Sequence, residues 1–317
     1  MNAMTTSQLQ KSASRIAVLL PCFNEDATIS DVISAFSASL PDAQIYVCDN
    51  ASTDNTAECA RLAGAHVVSE TRQGKAHAVR RLFNLVDADI YLLIDGDLTY
   101  DASAAPMLID ALIEKQCEMI IAARDSATGQ KTYRPGHSFG NFAFTFILRS
   151  LFGGNFTDVL SGYRIFSRAF VKTMPIMSEG FDIEVELTVH ALATGLPVAE
   201  LSTPYFQRPD GSASKLSTFK DGFHIGIRII RLIIDFRPLF VFSVSSFLLL
   251  ATGLCLFYPV WTNYLATGLV VRLPTAILSL GLSVLSIISL ASGLILDGIS
   301  RQRIEMKMLA FLNQLSK

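Results

Sequence analysis

No two of the five cysteines (Cys22, Cys48, Cys59, Cys117 and Cys255) stand at the spacing of a redox pair or of a zinc ligand set. They read as small apolar residues of a reducing compartment, which excludes a disulfide framework. Charge is scarce as well. Asp, Glu, Lys and Arg make up 17% of the 317 residues, where soluble domains average about 25%. The formal balance is −2, so the basic footprint of a nucleic-acid-binding protein is missing. Residues 1–14 are polar, lack an apolar core of signal-peptide length, and read as a disordered tail.

Apolar side chains are what the chain has in excess: 50% of residues, with a mean hydropathy of +0.40. They are unevenly spread. From Arg15 to about Ala123, short apolar runs alternate with helical patterns. Ile16-Ala17-Val18-Leu19-Leu20 is continuous, as expected of a strand buried on both faces. It ends at Pro21, and a helix is expected from Asn24 to about Ala38. Further strands are expected at Gln44–Cys48, His66–Ser69, Ile90–Ile94 and Met119–Ala122, with helices at Gly74–Leu85 and Ser103–Lys115. Such alternation implies an α/β domain with a mainly parallel, Rossmann-like sheet. Asp125–Gln207 is less regular, with helical patterns at Asn141–Phe152 and Asp182–Ala193.

From Phe219 to Arg237 the pattern changes. Lys220, His224, Arg228 and Arg231 recur at helical spacing opposite Phe223, Ile227, Ile230 and Ile234, which suits a helix lying in a lipid headgroup layer or packed on a domain. Leu239–Tyr258 and Leu273–Leu296 are uncharged runs long enough to cross a bilayer. The link between them carries Arg272 alone, whereas Arg228, Arg231, Arg237, Arg301, Arg303 and Lys307 flank the outer ends. The positive-inside rule then puts the α/β domain and the C-terminus on the cytoplasmic side. The expected segments are a tail (1–14), an α/β domain (15–218), an amphipathic juxtamembrane helix (219–237), a two-helix transmembrane hairpin (238–297) and a C-terminal helix (298–317).

Ligands of parallel sheets bind at the carboxyl ends of the strands. Three polar clusters follow expected strands: Asn24-Glu25, Asp49-Asn50 and Asp95-Gly96-Asp97. Two carboxylates one residue apart can share Mg2+ or Mn2+ with substrate phosphates, although Asp-Gly is also turn chemistry. Asn24, Ser52 and Thr53 are either helix caps or ligand-binding residues. Asp49 can accept hydrogen bonds from a base or ribose.

The ordered series Pro21-Cys22-Phe23-Asn24-Glu25, Asp49 to Thr56, Gly74-Lys75 and Asp95-Gly96-Asp97 resembles family-2 glycosyltransferases of the GT-A fold. With Ser161-Gly162-Tyr163-Arg164 and Gly211 to Leu216, it is similar to dolichyl- or undecaprenyl-phosphate sugar synthases. Several of these carry two C-terminal membrane helices. The resemblance spans Arg15 to Lys317. It implies that Pro21, Asn24, Glu25, Asp49 and Lys75 hold a nucleotide, with Asp95 near ribose or metal and Asp97 on the metal. It implies that Arg124, Arg134, Ser138, Arg208 and Lys215 face an acceptor phosphate, with Asp97, Arg134 and Lys215 carrying the reaction. Arginines suit such an anion because charge-assisted bonds are strong.

Departures are Asn50, where the family has a second aspartate, and Leu98, where no third acid follows Asp97. The implied reaction is inverting transfer from a UDP-hexose or UDP-N-acetylhexosamine, or alternatively GDP-mannose, to undecaprenyl phosphate at the cytoplasmic membrane. Family members with membrane hairpins can associate through them, which leaves a homo-oligomer open. A processive polysaccharide synthase would need more helices and a Gln-x-x-Arg-Trp motif, whereas Trp261 lies between the spans. The alternative of another class is a non-catalytic membrane scaffold with a relic nucleotide-binding fold.

Overall fold

Seven short strands form one sheet in the order β3-β2-β1-β4-β6-β5-β7. They are β1 (Ile16–Cys22), β2 (Gln44–Asp49), β3 (His66–Ser69), β4 (Ile90–Leu93), β5 (Met119–Asp125), β6 (Arg164–Ser167) and β7 (Val198–Pro204). The computed structural model describes residues 14–125, 145–146, 148–150, 153, 156–176, 183–208 and 233–315. Two compact units emerge: Met1–Gly222 with Lys307–Lys317, and Phe223–Met306.

In the first unit β1 to β4 are parallel, as are β5 and β7, while β6 runs antiparallel between β4 and β5. Helices α1 (Ile29–Ser39), α2 (Thr56–Leu62), α3 (Lys75–Leu85) and α4 (Ala105–Glu114) connect the first five strands. Val18 and Leu20 of β1 share one core cluster with Ile29, Ile33 and Phe36 of α1 and with Leu108 of α4. On α3, Phe83 meets the rings of Tyr91 and Phe166 at 6.4 and 5.7 Å. Burial on both faces explains why β1 and β4 are continuous apolar runs.

The structure revises several expected boundaries. α1 starts at Ile29 rather than Asn24, because Asn24 has φ 52° and the chain first turns through Thr28 and Ile29 N–H bonds to Glu25 O. β5 extends to Asp125 because β7 pairs with it residue by residue from Val198 to Pro204. The strand β6 begins with Arg164, a residue type that hides a strand in a sequence. Its guanidinium is fully buried, donating to Ser161 O (3.0 Å) and Thr188 Oγ1 (2.8 Å). Burial lowers its pKa to about 10, still well within the charged range. Of the helix expected at 141–152, only residues 145–146 and 148–150 are described, and they are helical.

The second unit holds most of two long helices, α7 (Pro238–Thr267) and α8 (Leu273–Leu315), each long and apolar enough to cross a membrane. Thirty residues of α7 span about 45 Å. The first span does not end at Tyr258. α7 runs through Pro259 and stops at Gly268, whose φ of 69° suits the left-handed C-cap. A proline removes a single backbone donor, and the helix continues past it to Thr267. Likewise α8 does not break after Leu296: the expected C-terminal helix continues it without interruption to Leu315.

The helices meet along small and hydroxyl residues. Ser286 Oγ lies 2.9 Å from both Ser246 Oγ and Ser246 O, Ser279 donates to Gly253 O (2.7 Å) and Ser289 to Phe242 O (3.1 Å). A Cβ at Gly293 would sit 2.7 Å from Phe242 Cβ. Of the expected juxtamembrane helix, residues 219–232 lie outside the described residues; 233–236 are helical.

One buried group sets a pH dependence. His190, on α6 (Ile183–Ala193), packs edge-on against Phe170 of α5 (Arg168–Thr173) and is 2% exposed. Burial, then the charge of Lys307, lowers its pKa to about 3, below the unfolded value of about 6.5. The unfolded chain therefore takes up this proton first. The stability contribution is full above the unfolded value and is lost as pH falls towards 3. Thermal melts of the full chain in detergent should show a falling Tm between pH 6.5 and 4, and His190→Leu should shallow that fall.

Candidate active site

Register places the ends of the central strands in one row, with Cys22 opposite Asp49 and Leu19 opposite Leu93. Connections diverge between β1 and β4, where crevices of open α/β sheets lie. The loops after β1 and β2 are sewn together. Asn24 N–H donates to Ser52 Oγ (3.0 Å), Glu25 N–H to Thr56 Oγ1 (2.8 Å), and Thr53 N–H to Asn24 Oδ1 (2.8 Å). Asn24, Ser52 and Thr53 thus bridge loops rather than cap helices. Thr28 adds the third loop, donating its hydroxyl to Gly96 O (2.6 Å). Asp49 Oδ1 accepts from Ser52 N–H (3.1 Å), which turns the chain at the end of β2.

Asn50 explains its own departure from the family pattern. Its carboxamide is buried, donating to Glu70 O (3.3 Å) and Arg72 O (2.6 Å) and accepting from Gly74 N–H (2.7 Å). A carboxylate could satisfy the last bond but neither of the first two. These bonds hold the segment leading to Gly74, whose φ of 134° disfavours a side chain, and so fix the start of α3.

Lys75, the first residue of α3, reaches Asp95 at 2.5 Å and also pairs with Glu184 of α6. Burial alone depresses the ammonium, but Asp95 and then Glu184 outweigh it, so its pKa lies above the ordinary lysine value. Asp97 is buried. Its Oδ1 accepts from Thr99 N–H (3.3 Å) and Oγ1 (2.6 Å), and its Oδ2 pairs with Arg208. Burial opposes the Arg208 charge, yet Asp97 and then Glu25 raise its pKa. Arg208 is positioned because the chain after β7 is tied to the loop after β4: Tyr205 bridges Tyr100, and Phe206 N–H donates to Thr99 O (2.8 Å).

Gly162 leaves the room that Asp95 occupies. A Cβ there would collide with Asp95 Oδ2 and come within 3.2 Å of Lys75 Nζ, while Gly162 N–H donates to Tyr100 Oη (2.8 Å). Arg124, at the end of β5, makes a two-pronged pair with Asp158 (Nε–Oδ2 2.6 Å, Nη2–Oδ1 2.7 Å) and lies 5.5 Å from the Tyr205 ring centre. Burial, then the charges of Asp97 and Asp95, raise the Tyr205 pKa, while the charge of Arg124 opposes the rise. One electrostatic neighbourhood therefore contains both carboxylates and this arginine.

Of the expected site residues, the structure brings together Asn24, Glu25 and Asp49 on the sewn loops, with Pro21 within β1. It also joins Lys75 to Asp95 and Arg208 to Asp97. It commits the Arg124 fork to Asp158. Arg134, Ser138 and Lys215 lie outside the described residues. Glu184, the second partner of Lys75, was not among the expected site residues. Its signal was a carboxylate set between two apolar β-branched residues, Ile183-Glu184-Val185, and a buried carboxylate needs a cation as partner. Asp158 and Tyr205 gave no sequence signal of comparable strength.

The donor set fits a divalent cation. Asp95 and Asp97 offer hard carboxylate oxygens, and Mg2+ takes one or two of these when phosphates supply the rest. Among the described residues, no group of three or more His, Cys, Asp or Glu side chains gathers around a point. The class defined is an α/β protein whose strand-end carboxylates are each matched by a cation from a distant segment.

Comparison with known proteins narrows it. Residues 17–174 match the model described as "Glycosyl transferase family 2". The chain is 37% identical over 281 residues to glycosyltransferase AglJ of Haloferax volcanii, covering 87% of each. It is 27% identical over 222 residues to dolichyl-phosphate hexose transferase of that organism, covering 70% of this chain and 95% of the other. The glucosyl-3-phosphoglycerate synthase of Mycobacterium tuberculosis, solved with Mn2+, uridine diphosphate and phosphoglyceric acid, has a TM-score of 0.58. It is 22% identical and covers 72% of this chain and 80% of its own. The chain belongs to glycosyl transferase family 2, and its α/β domain has the GT-A fold.

Two substitutions test the site's architecture. Asn50→Asp should cost about 1–3 kcal/mol in urea unfolding, because the buried carboxamide's two donors, to Glu70 O and Arg72 O, are lost. Gly162→Ala should push Asp95 off Lys75 and lower kcat at least about tenfold, with Tm changed little.

Proposed function

We propose that this protein transfers a sugar from a nucleotide-sugar to a polyprenyl phosphate at a membrane surface. The observation that carries the reading is the carboxylate pair Asp95 and Asp97, each matched by a cation from elsewhere in the fold, in a chain that also bears two apolar helices. The relative named as a dolichyl-phosphate hexose transferase supports a lipid acceptor. Arg237 before α7, and Arg301 and Arg303 on α8, support a multi-pass anchor with the α/β domain facing the cytoplasm. The donor is a UDP-hexose or UDP-N-acetylhexosamine, and the acceptor undecaprenyl phosphate.

Mg2+ or Mn2+ held by Asp95 and Asp97 would neutralise charge on the leaving diphosphate. The sewn loops bearing Asn24, Glu25 and Asp49 hold the nucleoside end of the donor. Lys75, fixed between Asp95 and Glu184, keeps a positive charge beside the reacting centre. An oxygen of the acceptor phosphate bonds to the anomeric carbon, the carbon–oxygen bond to the diphosphate breaks, and its electron pair leaves with the nucleotide. The configuration inverts. A phosphate monoester is ionised near neutral pH, so no strong base is required. The protein's contribution is position and charge. Arg134, Ser138, Arg208 and Lys215 are assigned to the acceptor phosphate.

The test is transfer of radiolabelled sugar to undecaprenyl phosphate in detergent micelles, with UDP-glucose, UDP-N-acetylglucosamine and GDP-mannose compared in Mn2+ or Mg2+. Asp97→Asn should lower the rate by about 100-fold or more. Undiminished transfer by this variant refutes the role given to the carboxylate, and the GDP-mannose arm identifies a mannose synthase.

A further inference from the structure

Asp97 has two oxygens, and the fold uses them unequally. Oδ1 is saturated by the Thr99 N–H (3.3 Å) and hydroxyl (2.6 Å), local bonds that set the rotamer of the carboxylate. Oδ2 pairs instead with Nη2 of Arg208. The Asp97 side chain is 4% exposed and the Arg208 side chain 32%. The carboxylate is therefore fixed in the interior, while the guanidinium reaches it from the rim. Arg208 stands two residues beyond Phe206, whose N–H is tied to Thr99 O, and three beyond Tyr205, which bridges Tyr100. The backbone that carries Arg208 is thus anchored to the same loop as Asp97, and the flexible part is the three-carbon stem of the arginine.

We propose that Arg208 is the resident counter-ion of Asp97 and competes with the divalent cation for Oδ2, so that the cation binds firmly only together with the donor's diphosphate. The proposal rests on the assignment of Asp97 to the metal and goes further in giving Arg208 a role before the acceptor arrives. Two cations cannot hold one buried carboxylate oxygen without strong like-charge repulsion. The diphosphate removes that obstacle by adding negative charge for both. Asp95 is arranged differently. Its lysine is shared with Glu184, whose side chain is 7% exposed. Lys75 therefore keeps a buried anionic partner when Asp95 turns to another cation. Arg208 is the positioning residue of the exchange, and Lys75 is not.

The experiment is a Mn2+ titration of the full-length protein in detergent, followed by the electron paramagnetic resonance signal of free Mn2+, with and without saturating uridine diphosphate. Arg208→Ala should tighten Mn2+ binding without nucleotide about tenfold. It should also shrink the factor by which uridine diphosphate strengthens Mn2+ binding, since that coupling is reciprocal. Arg208→Lys, which keeps the charge, should resemble the wild type. Asp97→Asn in the same titration separates the two ideas. If it leaves Mn2+ binding unchanged, the metal assignment falls. If it abolishes binding while Arg208→Ala leaves the affinity unchanged, weakened or undetectable at millimolar Mn2+, the metal assignment stands and the exchange is overturned. An equal gain from Arg124→Ala, whose fork grips Asp158, reduces the effect to net charge and also overturns the exchange.

Discussion

Two carboxylates one residue apart, at the end of a buried strand, are tolerated only if positive charge is brought to them from elsewhere in the chain. Here Lys75 comes from the start of α3 and Arg208 from the segment after β7, and each takes one carboxylate. Much of the surrounding structure places those two cations. Asn50 fixes the approach to α3, Glu184 holds the far side of Lys75, and the Tyr100–Tyr205 bridge sets the path to Arg208. A buried carboxylate that loses its cation is left as an unmatched charge, which is costlier than losing a surface pair.

The same interdependence appears in the loops after β1, β2 and β4. Several of their hydrogen bonds run from one loop to another: Asn24 with Ser52 and Thr53, Glu25 with Thr56, and Thr28 with Gly96. Each contributes only about 1 kcal/mol net, but together they make three strand ends behave as one rigid rim. A rim organised before the substrate arrives spends less binding energy on ordering. Side chains that look like helix caps are therefore doing a different task.

The apolar hairpin follows another rule. Contact between α7 and α8 depends on close backbone approach and on hydroxyls that find partners across the interface. Ser246, Ser279, Ser286 and Ser289, with Gly253 and Gly293, supply both. Large side chains such as Phe247, Leu254, Ile287 and Ile295 remain exposed on the outside. That distribution is reversed in the α/β domain, where Val18, Leu20 and Phe36 are interior.

The sequence by itself determined the strands whose two faces are both covered, because a continuous apolar run such as Ile16–Leu20 has few other stable fates. It also determined the two long apolar helices and the row of polar clusters at strand ends. It could not reveal β6, which opens with a buried arginine, or β7, whose side chains are mostly half-exposed. Nor could it tell that α7 would pass through Pro259, since the cost of a proline is local and depends on what surrounds the helix. Only the tertiary structure decided which cation meets which carboxylate. Lys75 and Glu184 are 109 positions apart, and Arg208 and Asp97 are 111 apart. Periodicity and local propensity act over a few residues, whereas a buried ion pair is selected by the fold that brings distant segments together.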